Sequence, residues 1–162
     1  MAIGTYAGKI LGNDNVVIGT CAGTVASGVN QNVFIGTCVG SQGTRHDNVG
    51  IGFKAMATNS NAGCSVAVGS EALSQSPRFS VGVGYRALCT SNAFTSHNVA
   101  VGACALQKST SGTNNIALGS ASQFCITTGY QNITMGNCTL CRSNTANRNV
   151  ILGHNAANYG TG

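Results

Sequence analysis

Charge is what this chain most conspicuously lacks. Only 7% of its 162 residues are Asp, Glu, Lys or Arg, against about 25% in an ordinary soluble domain. Long solvated helices are thereby excluded, since they need charged faces and strong helix formers, and Gly, Asn, Ser and Thr dominate here. The only carboxylates are Asp14, Asp47 and Glu71, which leaves paired-acid catalysis little to draw on. Eight Lys and Arg give a net charge of +5, but no basic run marks a nucleic-acid site. No apolar run approaches the ~20 residues of a membrane span. The first residues show no basic region followed by an apolar stretch, so no secretory leader is expected. There is one Pro and no Trp. Disorder fits badly, because 43% of the residues are hydrophobic and their placement is regular.

That regularity is a repeat. NVVIG (Asn15 to Gly19) recurs as NVFIG, NVGIG, SVAVG, SVGVG, NVAVG (Asn98 to Gly102), NIALG, NITMG and NVILG (Asn149 to Gly153), with a shortened AIG ending at Gly4. The ten glycines are spaced 15, 17, 16, 17, 15, 18, 17, 17 and 17 apart. In the nine full copies Val or Ile stands three residues before the Gly and an aliphatic residue or Met one before, a period-2 strand pattern. Three residues after the Gly the side chain is small (Ala22, Ala55, Ala72, Ala87, Ala105), often followed by Leu or Met, which reads as a second short strand. One unit cannot bury its own apolar residues; stacked units with parallel strands ~4.8 Å apart can, and ten of them make a rod of roughly 50 Å. The expected fold is all-β, a parallel β-solenoid (β-roll) of about ten 15–18-residue coils, with residues 1–162 forming one domain. Asn or Ser four before the Gly starts each strand at a corner, where stacked amides form a ladder. Two positions after the Gly, Lys54, Glu71 and Arg86 fall in consecutive coils, so correct register places the acid between two cations.

The expected core ladder consists of the residues three and one before each Gly: Val16, Ile18, Val33, Ile35, Val49, Ile51, Val66, Val68, Val81, Val83, Val99, Val101, Ile116, Leu118, Ile133, Met135, Val150 and Leu152. Between them lies a row on the opposite face that is also apolar except for Thr134: Val17, Phe34, Ala67, Ala100, Ala117 and Ile151, with Ala2, Gly50 and Gly82. A strand apolar on both faces is covered on both faces. This second row is therefore expected to be an oligomer interface around a central axis, with three-fold order the expected one.

The N(S/V)VAIG-like strand resembles the head repeats of trimeric autotransporter adhesins, and NVAVG at Asn98 to Gly102 is close to that consensus. It also resembles the NTAIG-type repeats of phage tail fibres and of surface proteins of large algal viruses. The resemblance covers all ten copies, although the adhesin repeats are somewhat shorter. It implies a left-handed parallel β-roll wound as a homotrimer, with a structural and attachment role and no catalytic residues.

Eight cysteines are many for this length and suggest an oxidising setting or a particle surface. Cys21 and Cys38 share a slot in consecutive coils, ~5 Å apart, and Cys125 and Cys141 are one coil and one residue out of step. These two pairs are the candidate disulfides; the alternative is that the cysteines are reduced small hydrophobes. Cys138-Thr-Leu-Cys141 is a lone CxxC without the second pair that zinc spacing requires. His46, His97 and His154 have no partner motif, and Asp14 and Asp47 repeat two coils apart with no sign of a pocket. Two glycosylation-type triplets, at Asn132 and Asn137, are expected by chance in such a composition. Thr5, Thr20 and Thr37 begin a ladder that Phe53 ends, unlike an ice-binding face. The chain matches neither hexapeptide nor calcium-binding nonapeptide solenoids, which need an aliphatic residue every six positions or an Asp in each repeat.

No catalytic residue, metal or cofactor is expected. The expected role is a non-enzymatic fibre, spike or filament protein on a virion or cell surface. Its partner would be itself, as a trimer or a head-to-tail polymer in which one chain's last coil continues into the next chain's first. The alternative is an adhesin or receptor-binding module whose loop residues Arg45, Arg78, Arg142 and Arg148 touch a host glycan or protein. Neither nucleic acid nor membrane insertion is expected.

Overall fold

The computed structural model describes residues 1–9, 12–24, 29–42, 46–58, 63–75, 78–90 and 95–158. Ten short strands stack in chain order into a single parallel sheet: β1 (Ala2–Ile3), β2 (Val16–Ile18), β3 (Val33–Ile35), β4 (Val49–Ile51), β5 (Val66–Val68), β6 (Val81–Val83), β7 (Val99–Val101), β8 (Ile116–Leu118), β9 (Ile133–Met135) and β10 (Val150–Leu152). The register follows the repeat. Val17 pairs with Phe34, Phe34 with Gly50, Gly50 with Ala67, and the same column continues to Thr134 opposite Ile151. The chain is a β-solenoid with one strand per coil.

Each coil is bent at its glycine. From Gly4 to Gly153 the ten repeat glycines take φ between 119° and 139°, a region closed to side chains. All but Gly153 also leave no room for one: a Cβ on Gly19 would lie 2.2 Å from the carbonyl oxygen of Gly36, and one on Gly84 2.6 Å from that of Gly102. Each glycine therefore lets the next coil approach closely as well as turning the chain.

At the other end of the strand the amide ladder forms. Asn32 donates its backbone N–H and its Nδ2 to Oδ1 of Asn15, both at 3.0 Å. Asn48 repeats this on Asn32, Ser65 and Ser80 carry the chain of bonds on with hydroxyls, and Asn115, Asn132 and Asn149 complete it. Nine residues are thus linked through consecutive coils. All are buried except Asn149, which is partly covered, and each side chain from Asn15 to Asn132 accepts the backbone N–H of the next ladder residue.

The segment after each glycine corrects the expectation of a second strand. It is a turn in every coil. The second and fourth residues after the glycine both take left-handed backbone conformation, as in Lys54 (φ 53°) and Met56 (φ 53°) or Arg86 (φ 54°) and Leu88 (φ 53°). The second residue donates its N–H to the preceding coil, Cys38 to Thr20 at 2.9 Å, and the fourth donates to the following coil, Gly23 to Val39 at 2.9 Å. The alternation reverses the peptide planes, so a turn hydrogen-bonds to both neighbours much as a strand would. A third left-handed corner precedes the ladder residue, from Asp14 (φ 59°) to Arg148 (φ 58°). Outside glycine, left-handed backbone costs roughly 1–2 kcal/mol per residue; here stacking fixes it at three slots per coil.

The two faces of the strand are exchanged relative to the sequence expectation. Val17, Phe34, Ala67, Ala100 and Ala117, expected to meet other chains, are fully buried inside their own chain, and Ile151 packs against the same core. The residues expected to form the core ladder, from Val16 and Ile18 to Val150 and Leu152, point outward and are half-buried or exposed. The reason is volume. Across a thin coil the strand's central residue faces the small third residue and the larger fourth residue after the glycine: Ala100 belongs with Ala105 and Leu106, Ala67 with Ala72 and Leu73, all fully buried. Two β-branched side chains per strand do not fit in that space, whereas one Ala does. Where the central residue is glycine, a neighbour is large. A Cβ on Gly82 would sit 2.9 Å from Leu73 Cδ1, and one on Gly50 3.1 Å from the Phe34 ring.

Candidate functional site

The outward strand rows form a continuous apolar stripe on the surface of the described residues. From Val16 to Leu152 none of their residues is polar, and Ile35, Ile51, Val101, Ile133, Met135, Val150 and Leu152 are each more than a third exposed. Nine rows, from β2 to β10, ~4.8 Å apart and two residues wide, form a stripe roughly 40 Å long. A contiguous apolar stripe of this kind marks an interaction surface. β-Branched residues dominate it because they suit a pleated, half-covered surface.

Four aromatic rings each carry a cationic side chain. Lys54 lies over the Phe53 ring at 5.1 Å, Arg86 over Tyr85 at 5.3 Å, Arg148 over Tyr130 at 5.6 Å and Lys108 over Phe124 at 4.8 Å. Phe53, Tyr85 and Tyr130 are exposed. The register test at Lys54, Glu71 and Arg86 resolves to one side: Arg86 Nε donates to Glu71 Oε2 at 2.6 Å, while Lys54 turns to its own aromatic neighbour. The Glu71 hydrogen bond and charge raise the Arg86 pKa. Of the arginines expected to face a receptor, Arg142 and Arg148 are exposed and Arg78 is partly covered; Arg45 lies outside the described residues.

The cysteines are all free thiols. Cys21 and Cys38 do occupy one slot in adjacent coils, their backbones stacked through Thr5 and Thr20, but no disulfide joins them. Cys125 and Cys141 are likewise unjoined, and Cys141 Sγ donates to Asn158 Oδ1 at 2.6 Å. Burial raises the pKa of Cys138, and the adjacent Cys141 thiol adds to the shift. Burial also raises that of Cys89, against the opposing pull of Arg86. Cys64 is exposed. Among the described residues no group of three or more His, Cys, Asp or Glu side chains could hold a metal. Of the two glycosylation-type triplets, Asn132 is locked in the buried ladder and Asn137 is exposed.

Two features escaped the sequence reading. One is a parallel stack of the Phe79 and His97 rings, centroids 5.2 Å apart; the other is a recess beside it, lined by His46, Asp47, Gly63, Cys64, Arg78 and Phe79. The signal was the juxtaposition of two small residues, Gly63 and Cys64, with large ones one coil away on either side. Among the described residues no helix is long and apolar enough to cross a membrane. No protein-family model, curated protein or solved structure matches this chain.

Proposed function

We propose that this chain is a non-enzymatic structural protein, a homo-oligomeric fibre, spike or filament component of a virion or cell surface. The carrying observation is the outward Val/Ile stripe. It runs from β2 to β10 without a polar interruption, and it is long and narrow. Such a shape suits copies meeting along an axis parallel to the solenoid better than a broad two-fold face, so the oligomer is a trimer, in line with the resemblance of the repeat to trimeric adhesin heads. The sheet supplies stiffness: its backbone groups are paired from coil to coil.

The stripe is tested by charge. Ile51→Lys and Val101→Lys place ammonium groups at its centre, and Ser120→Lys, on an exposed turn position, is the control. Light scattering should give three times the chain mass of 16.3 kDa for the unmodified protein and the control, and single chains with native circular dichroism for the stripe variants. An unmodified protein that is monomeric at tens of micromolar, or stripe variants that stay trimeric, would refute the proposal.

A second reading, an adhesin or receptor-binding module, is favoured by the exposed aromatic rings with their paired cations.

A further inference from the structure

The corner before each strand carries two stacked rows of side chains. In the coils of β4, β5 and β6 these read His46, Gly63, Arg78 in one row and Asp47, Cys64, Phe79 in the other. Their backbones are joined coil to coil: Cys64 N–H donates to His46 O at 3.2 Å, Phe79 N–H to Gly63 O at 3.1 Å, and His97 N–H to Arg78 O at 3.2 Å. The two small residues fall side by side in the middle coil and leave a recess of about 180 Å³ between larger neighbours.

The walls of the recess differ in chemistry. On the side of the β6 coil stands the Phe79 ring, half exposed. His97, one coil further on, stacks against it at an interplanar angle of 16°. His97 covers the far face of Phe79, so the other face looks across Cys64 into the recess. The opposite wall, two coil spacings or ~9.6 Å away, holds Asp47 and His46. His46 Nδ1 accepts the Asn30 N–H at 3.1 Å, which fixes the neutral tautomer with its proton on Nε2, a donor. Arg78 lines the side and supplies positive charge.

We propose that this recess binds one pyranose ring of a glycan. The C–H face of the sugar packs on Phe79 at ~3.5–4 Å, and its hydroxyls reach across to donate to the Asp47 carboxylate and accept from His46. A flat apolar platform opposite a paired acceptor and donor matches the amphipathic shape of a sugar ring. Among the described residues no group of three metal-ligating side chains gathers here, and a bare anion would meet the Asp47 charge. The proposal rests on the receptor-binding reading above and names its site and ligand class.

The test fills the recess without disturbing the coil. Cys64 has φ 54°, and the same row already holds Phe79 at 49° and His97 at 57°, so Cys64→Phe extends the existing ring stack into the gap. Phe79→Leu keeps an apolar wall but removes the flat platform, and Gln131→Phe adds an aromatic elsewhere in the row as a control. Saturation-transfer NMR with glucose, galactose, N-acetylglucosamine and N-acetylneuraminic acid is run beside a glycan array. At least one sugar should bind the unmodified protein with millimolar Kd, weakening tenfold or more in both recess variants and unchanged in the control. Sugar binding that survives in Cys64→Phe would overturn the recess while leaving the receptor-binding reading intact. No binding of the unmodified protein to any sugar on the array would overturn the recess proposal, and binding to a protein receptor would then show that only the ligand class had failed.

Discussion

Phe34 offers a test of the core in which one substitution changes sign with its background. The fourth position after each repeat glycine holds a large side chain in the middle coils, Met56, Leu73, Leu88 and Leu106, all fully buried. In the β3 coil that position is Gly40, and the Phe34 ring fills the missing volume: a Cβ on Gly40 would lie 2.8 Å from two ring carbons. Gly40→Leu alone therefore drives a side chain into the ring. Overpacking of this kind costs about 1–3 kcal/mol or more, and leaving glycine at φ 53° adds roughly 1 kcal/mol. Phe34→Ala alone empties the site at a cost of about 3–5 kcal/mol. Together they rebuild the arrangement of the β7 coil, where Ala100 faces Leu106, and Leu106 takes φ 51°. The double variant should thus be at least about 2 kcal/mol more stable than Phe34→Ala, although Gly40→Leu destabilises the unmodified chain. Urea unfolding followed by circular dichroism measures this, with all four proteins at one chain concentration because assembly shifts apparent stability. Effects that add within about 0.5 kcal/mol would refute the exchange of volume between Phe34 and Gly40, and with it the assignment of this row to the interior.

Three further outcomes follow from the same geometry. Gly84→Ala should lower the melting temperature far more than Gly153→Ala: both sites have positive φ, 129° and 119°, but the new Cβ meets Gly102 O at 2.6 Å in the first and nothing nearer than 3.7 Å in the second. Gln123 occupies the Leu position of the β8 coil, and its Nε2 bonds Thr134 Oγ1 and Ile116 O while its buried Oε1 has no partner. Gln123→Leu should therefore raise unfolding stability by about 1 kcal/mol, because Thr134 keeps its Ser122 hydroxyl partner at 2.6 Å. Alkylation at pH 8 followed by peptide mapping should label exposed Cys64 first and Cys89 among the last, because Cys89 is buried and its pKa is raised, so little thiolate is present.

The sequence made the stack legible because stacking imposes a period. The glycine column, the Asn/Ser ladder and the register from Val17 through Phe34 to Ile151 follow from aligning the repeats, and the structure has all three. Which strand face is inside was not legible from alternation, since a period of two is symmetric between the faces. The size of Ala67, Ala100 and Ala117, set against one Leu per coil, held that information. The turn after the glycine was read as a strand because Ala and Leu in sequence do not betray left-handed backbone. Those conformations are imposed by bonds to both neighbouring coils rather than by residue type, as Leu88 and Arg86 illustrate. The recess at Gly63 and Cys64 depends on residues that vary from coil to coil, which a search for the repeated pattern passes over.

The account depends most on the outward stripe being covered by further copies of the chain. Methyl NMR of Ile-, Leu- and Val-labelled protein with a soluble paramagnetic agent reads this directly, with buried Val17 and Leu106 as protected references and exposed Ile3 as an end-coil comparison. The methyl signals of Ile51, Val68, Val83 and Val101 should be as protected as those of the references at tens of micromolar. If those four broaden strongly while Val17 and Leu106 do not, the stripe faces water and the assembly proposed here is wrong.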